Sequence, residues 1–173
     1  MSTQPSLSLA EWVVLAVISE RPTHGFAISQ LTACDGELGR VWQIPRPIVY
    51  RALGRVAAAG LIKEDGTEPG LGPQRTVYSV TKSGRDAVNK WLQTPVEHVR
   101  DVRSHLLIKL ALLDRADADP TSLLVRQRDV LTPIADAISA EEPEEEGFEA
   151  TLLAWRRANT EAAISFLADI TPN

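Results

Sequence analysis

The stretch 39–63, GRVWQIPRPIVYRALGRVAAAGLIK, constrains the fold more than any other part of this chain. It carries Arg40, Arg46, Arg51, Arg55 and Lys63 and no Asp or Glu, in a protein with 18 basic and 23 acidic side chains. From Val49 onward, Val49, Ala52, Leu53 and Val56 fall at i, i+3, i+4 and i+7, the spacing of a helix with one buried face. The opposite face collects Pro47, Arg51, Gly54, Arg55 and Ala58, two long cations among small residues. A helix this slim fits a major groove, and arginine forks match phosphate oxygens and guanine edges. Gly60 supplies the C-terminal stop, and Leu61-Ile62-Lys63 opens an extended segment.

Composition narrows the choices around this helix. With 173 residues and 44% apolar content, the chain holds one ordinary domain or two small ones with real cores. Its single cysteine, Cys34, excludes an internal disulfide and a Cys-rich zinc site, and fits a reducing cytoplasm. No cofactor or metal is expected. The N-terminus lacks a basic leader region, and the apolar run 12–18 is too short to span a bilayer, so no membrane association is expected. Charge is divided: residues 1–94 have 10 basic and 8 acidic side chains, residues 95–173 have 8 and 15. The first part can approach a polyanion despite the net charge of −5, because binding depends on the local patch.

Ser8-Leu9-Ala10-Glu11 reads as a capping box opening a helix that Arg21-Pro22 ends. A second helix follows Thr23-His24 and runs to about Cys34, with His24 as a cap or turn residue and Cys34 as a buried or half-buried small side chain. Pro45 and Pro47 introduce the basic helix. Residues 61–65 and 75–80 read as two strands of a hairpin joined by a Gly/Pro loop at 66–73, with Tyr78 and Val80 facing inward. Thr81 caps a fourth helix over 82–92. Helix, helix, helix, strand, strand is the winged variant of helix-turn-helix. Gln93-Thr94-Pro95 marks the boundary between a winged helix-turn-helix domain at 1–94 and a C-terminal helical domain at 95–173.

The second domain reads as all-helical. One helix covers 101–113, another starts at Asp119-Pro120 and is expected to kink at Pro133, an acidic run occupies 141–149, and a last helix from about Gly147 carries Phe148, Leu152, Trp155 and Phe166. Trp155, Phe166 and Leu167 suit a core or an interface, and pairing with a second chain would complete a core that these helices build only thinly. No paired carboxylates, positioned nucleophile or metal cluster appears, so an enzyme is not expected.

Three segments together resemble PadR-type transcriptional regulators: Val17 to Phe26 (VISERPTHGF), Tyr50 to Val56 (YRALGRV) with Gly60-Leu61-Ile62, and Gly72 to Arg85 (GPQRTVYSVTKSGR). The resemblance implies a mainly α fold, with an N-terminal winged helix-turn-helix bearing a two-stranded β wing and a C-terminal α-helical dimerisation domain. It implies a homodimeric repressor that binds a double-stranded, pseudo-palindromic DNA operator and is released by a small aromatic or phenolic effector. By position, Arg46, Ile48, Tyr50, Arg51, Arg55, Gln74 and Arg75 are the DNA-contacting candidates, and Trp12, Trp91 and Trp155 are candidates for an effector site. Pro45 and Pro47 stand where the family usually has small polar residues, and Gln74 where a second basic residue is common. The competing reading is a winged-helix protein-interaction module without specific DNA binding.

Overall fold

The computed structural model describes residues 6–69, 74–142 and 146–171, and it divides into two compact units. Residues up to Leu92 together with Ile108–Asp117 form the first; Gln93–Leu107 and the chain from Ala118 onward form the second. The boundary expected at 94/95 counts all later helices with the second domain. Ile108 and Leu112, however, lie in the first unit's core.

The first unit is built around α1 (Leu9–Glu20), whose residues from Leu9 to Ile18 are all buried. The expected capping box is formed: Ser8 N–H donates to Glu11 Oε2 at 2.8 Å, and Ser8 Oγ accepts from Glu11 N–H at 3.4 Å. Helix α2 (Gly25–Leu31) is capped by His24, whose Nδ1 accepts from Ala27 N–H at 3.0 Å. It ends before Cys34, and that side chain is exposed rather than buried: it lies in the turn after the helix has stopped. The linker to α3 (Arg46–Ala58) is pinned from inside. Thr32 is fully buried; its hydroxyl donates to Ile28 O, and Ile44 N–H donates to Thr32 O, both at 3.0 Å. Gly39 in this linker has no room for a side chain, since a Cβ would sit 1.6 Å from Ala33 O.

Pro45 and Pro47 fall at the N-cap and within the first turn of α3, where a missing N–H goes unmissed. Val49, Ala52, Leu53 and Val56 are its buried stripe. Gly60 follows with φ of +69°, the left-handed geometry of a helix terminator.

The sheet has three antiparallel strands, not two. β1 (Thr23–His24) pairs with β3 (Arg75–Val80), which pairs in turn with β2 (Ile62–Glu68). A two-residue strand gives no periodicity, and Thr23-His24 reads locally as a cap, which it also is. β2 continues past the expected Asp65 because a bulge between Glu64 and Thr67 absorbs Gly66, at φ of +107°, and restores pairing. Residues 70–73 of the expected loop lie outside the described residues. On β3 Val77, expected outward, is the buried residue, while Tyr78 and Val80 are half-buried against the core. Its place in the middle strand explains this, because Val77 lies opposite His24 of β1. Thr81 then caps α4 (Lys82–Gln93), accepting from Gly84 N–H at 3.1 Å.

Trp12 of α1 and Trp91 of α4 stack with ring centroids 5.2 Å apart and planes 3° from parallel. Lys109, buried on α5 (Leu107–Arg115), holds its ammonium 5.2 Å from the Trp91 centroid. Burial pushes the Lys109 pKa down to about 8. Six residues later, Arg115 bridges Glu20, at 2.7 Å, and Glu37. Its hydrogen bonds to Glu20 are the main reason its pKa rises further.

The helix expected over 101–113 changes type along its length: a 3-10 turn at Val99–Asp101 and a π-helical stretch at Val102–Leu106, both in the second unit, then α5, which belongs to the first from Ile108 onward. Helix α6 (Thr121–Ala140) runs unbroken through Pro133 and packs on α7 (Phe148–Ile170). Gln127, fully buried, clasps the Val96 backbone from both sides, donating to its carbonyl at 2.8 Å and accepting from its N–H at 2.7 Å. Leu153, Thr160, Ala163 and Leu167 form the buried face of α7. Phe148, Leu152 and Trp155 point out of the unit, and Phe166 is half-buried. Residues 143–145 of the acidic run lie outside the described residues.

Lys109 makes stability pH-dependent in a defined sense. Below about pH 8 both states carry its proton and the fold bears the cost of a buried ammonium. Between about 8 and 10.5 the folded state releases the proton while the unfolded chain keeps it, so Lys109 adds stability as pH rises, by up to roughly 3 kcal/mol. Urea unfolding of wild type and Lys109→Met at pH 7.5 and 10 should show this gain in wild type and its loss in the variant.

Candidate DNA-binding surface

The exposed arc of α3 begins with Arg46 and passes through Pro47, Tyr50, Arg51, Gly54, Arg55 and Ala58, all exposed. Ile48, the remaining candidate on the helix, is half-buried and packs against the core. The structure sorts the candidates into two groups.

The first group lies between α3 and the sheet. Arg46, Tyr50, Gln74 and Arg75 line a cleft of about 440 Å³ together with His24, Phe26 and Tyr78. Phe26, on the first turn of α2, is its organising ring. The Arg75 guanidinium carbon stands 4.2 Å from the Phe26 centroid, and that of Arg46 stands 5.6 Å from it and 5.6 Å from the Tyr50 ring. Stacked guanidinium groups keep their N–H forks directed outward while losing less freedom on binding an anion. Burial, with the Glu64 carboxylate and Tyr50 nearby, raises the Tyr78 pKa, so its phenol remains a hydrogen-bond donor. Opposite charge enters at one edge, where Glu68 Oε2 is 3.6 Å from His24 Nε2.

The second group lies against α1. Ile48, Arg51 and Arg55 border a smaller hollow that also includes Ser8 and Glu11. Arg55 and Arg51 differ in kind here. Arg55 Nε is 2.9 Å from Glu11 Oε1, a carboxylate whose side chain is only 5% exposed, while Arg55 itself is 69% exposed. Arg51 has no ionic partner among the described residues. A positive charge tied to a buried carboxylate adds less to the external field than a free one.

Neither Phe26 nor the charge-pairing role of Glu11 was legible in the sequence. Glu11 was fully explained by the capping box, and nothing in the spacing of Phe26 places a ring beneath two arginines from distant segments. Trp12 and Trp91, the effector candidates of the first unit, fill core space by stacking on each other. Trp155 belongs to the second unit, where it is 67% exposed and borders a cavity with Arg100, Arg103 and Ile134.

Residues 14–90, which contain the cleft, α3 and the sheet, match the model of the transcriptional regulator PadR-like family. It is this segment, a little under half of the chain, that is PadR-like. Solved structures similar to it include Bacillus subtilis PadR in complex with operator DNA, 17% identical, with a TM-score of 0.47 over 94% of this chain and 97% of that one. Another is the same protein in complex with p-coumaric acid, 17% identical, TM-score 0.43, over 97% and 96%. A third is a PadR-like transcriptional regulator of Bacillus cereus, 19% identical, TM-score 0.42, over 92% and 94%. No curated protein matches the chain.

Gly25 sets the width of the cleft. A Cβ there would meet Leu53 Cδ1 at 2.7 Å and Tyr50 Cε1 at 2.9 Å, forcing α2 from α3 or displacing the Tyr50 ring. Gly25→Ala should therefore lower stability by about 1–3 kcal/mol, measured by thermal or urea unfolding.

Proposed function

We infer that this PadR-like regulator acts by binding double-stranded DNA through α3 and the β2–β3 wing, as a homodimeric repressor in the cytoplasm whose hold on its operator is released by a small aromatic or phenolic effector. The observation that carries this reading is that Arg46, Tyr50 and Arg75 line one cleft while Arg46, Tyr50 and Arg51 lie on the exposed arc of α3, all within the segment that matches the family. Residues 1–94 supply the DNA contacts and 95–173 the pairing of two copies. α3 enters a major groove, with Arg46 and Tyr50 at its leading end and Gly54 and Ala58 allowing close approach. Arg75, with Gln74 beside it, serves the wing and contacts phosphate or a minor groove. The exposed apolar residues Phe148 and Leu152 on α7 favour pairing of C-terminal helices, since monomers rarely leave contiguous apolar surface in water. Among the described residues no group of metal-binding side chains and no helix able to cross a membrane is present.

Fluorescence anisotropy of the full chain on its own upstream DNA, against unrelated competitor and over a range of salt, tests this reading. Specific binding that weakens steeply with salt is expected. Arg46→Ala should cost about 1–3 kcal/mol at the operator. Arg51→Ala should lower the salt slope by about one unit per contacted phosphate, and Arg55→Ala by distinctly less, because Glu11 already neutralises it. Binding that ignores both salt and these substitutions would instead identify a protein-contact surface.

A further inference from the structure

A cavity of about 680 Å³ in the second unit is lined by arginines and, among the described residues, by no carboxylate, although residues 95–173 carry 15 acidic side chains. Its wall combines three arginines, Arg100, Arg103 and Arg156, with the indole of Trp155 and the aliphatic side chains of Ile134 and Ile138. The arginines are not equivalent. Arg156 is paired at 2.8 Å with Glu141, which does not line the cavity. Arg100 and Arg103 have no ionic partner among the described residues. The cavity therefore presents two uncompensated positive charges beside a flat, exposed aromatic face. Beyond Arg103 and Val99 it is flanked by an apolar recess of about 240 Å³ ending at Phe166.

We propose that this cavity binds an aromatic dianion, a flat ring carrying a phosphate group, of the class of aryl phosphates or nucleoside monophosphates. The charge count selects the anion: one carboxylate leaves a guanidinium unmatched, whereas a phosphate monoester carries close to two charges above its second pKa near 6 and offers three acceptor oxygens. The volume lies within the range of small-molecule sites. The ring stacks on Trp155, whose 67% exposure gives it a free face, and Ile134 and Ile138 cover its edge. Phe148 and Leu152, which share a face of α7 with Trp155, do not line the cavity. The site rests on the effector reading only for its consequence at DNA.

Isothermal titration of the full chain at pH 8 with 1-naphthyl phosphate tests the site, with 1-naphthalenesulfonate as the single-charge control and 1-naphthol as the neutral one. Saturable binding of the phosphate is expected, at least tenfold tighter than either control. Arg100→Gln/Arg103→Gln and Trp155→Leu should each weaken it tenfold or more while circular dichroism and DNA affinity stay unchanged. Displacement of the naphthyl ester by adenosine monophosphate but not adenosine would assign the site to nucleotides, and no displacement would assign it to aryl phosphates. Equal affinity for phosphate and naphthol, no binding of the phosphate, or undiminished binding in the variants would overturn the proposal. The effector reading fails separately: phosphate that binds in the cavity yet leaves the DNA complex intact removes the effector role and keeps the site. Release by another aromatic compound that persists in the double arginine variant places the effector elsewhere.

Discussion

Everything in the first unit follows from one helix being buried on all sides. An amphipathic helix needs one neighbour; α1, with every residue from Leu9 to Ile18 out of water, needs a full ring of them. Ile28 of α2, Val49 and Val56 of α3, Trp91 of α4 and Ile108 and Leu112 of α5 belong to the same core cluster. Such a core tolerates few polar groups, and α1 brings one, Glu11. Its carboxylate is satisfied on one oxygen by the Ser8 amide and on the other by Arg55, so the demand of the core for charge compensation reaches the exposed helix.

That link changes the meaning of a basic patch. Counted from the chain, the acid-free stretch 39–63 presents its cations as equivalent. Counted from the fold, Arg55 is partly a structural counter-ion, Arg46 and Arg75 are held against Phe26, and Arg51 is exposed to solvent with no ionic partner among the described residues. Side chains restrained by stacking lose less entropy on binding than free ones, whereas a cation already paired has less field to offer. Local pairing, rather than the sum of charges, decides what each arginine can contribute.

Most of the architecture was legible because it rests on local rules. The capping box at Ser8, the stripe from Val49 to Val56, the prolines opening α3 and the Thr81 cap are all short-range signals, and each is realised. What escaped depends on contacts between distant segments. β1 is a strand only because β3 lies beside it; Val77 is buried because β3 is central; α5 shares the core of helices nearly a hundred residues earlier. The outward apolar side chains of α7 show the same limit in reverse. Phe148, Leu152 and Trp155 have core-like spacing, yet the buried residues are Leu153, Thr160, Ala163 and Leu167, on another face. Periodicity identifies an apolar face but not whether the same chain covers it. Of the DNA-contact candidates, those from Arg46 to Arg55 lie on α3 and Arg75 on β3, the elements expected for them; their grouping around Phe26 and Glu11 was invisible, because a ring and a carboxylate acquire those roles only through tertiary proximity.

The short strand β1 has a mechanical consequence. Its last residue, His24, hydrogen-bonds the first turn of α2, and the next two residues are Gly25, in close contact with α3, and Phe26, beneath Arg75. Wing, α2 and α3 are thus joined within four consecutive residues, which makes the span between the helix cations and the wing cation a property of the protein. On the DNA-binding reading, this part of the molecule works as a fixed caliper. A duplex whose groove spacing differs must bend or twist to meet both jaws, and sequences that deform easily would gain preference at base pairs the protein never touches.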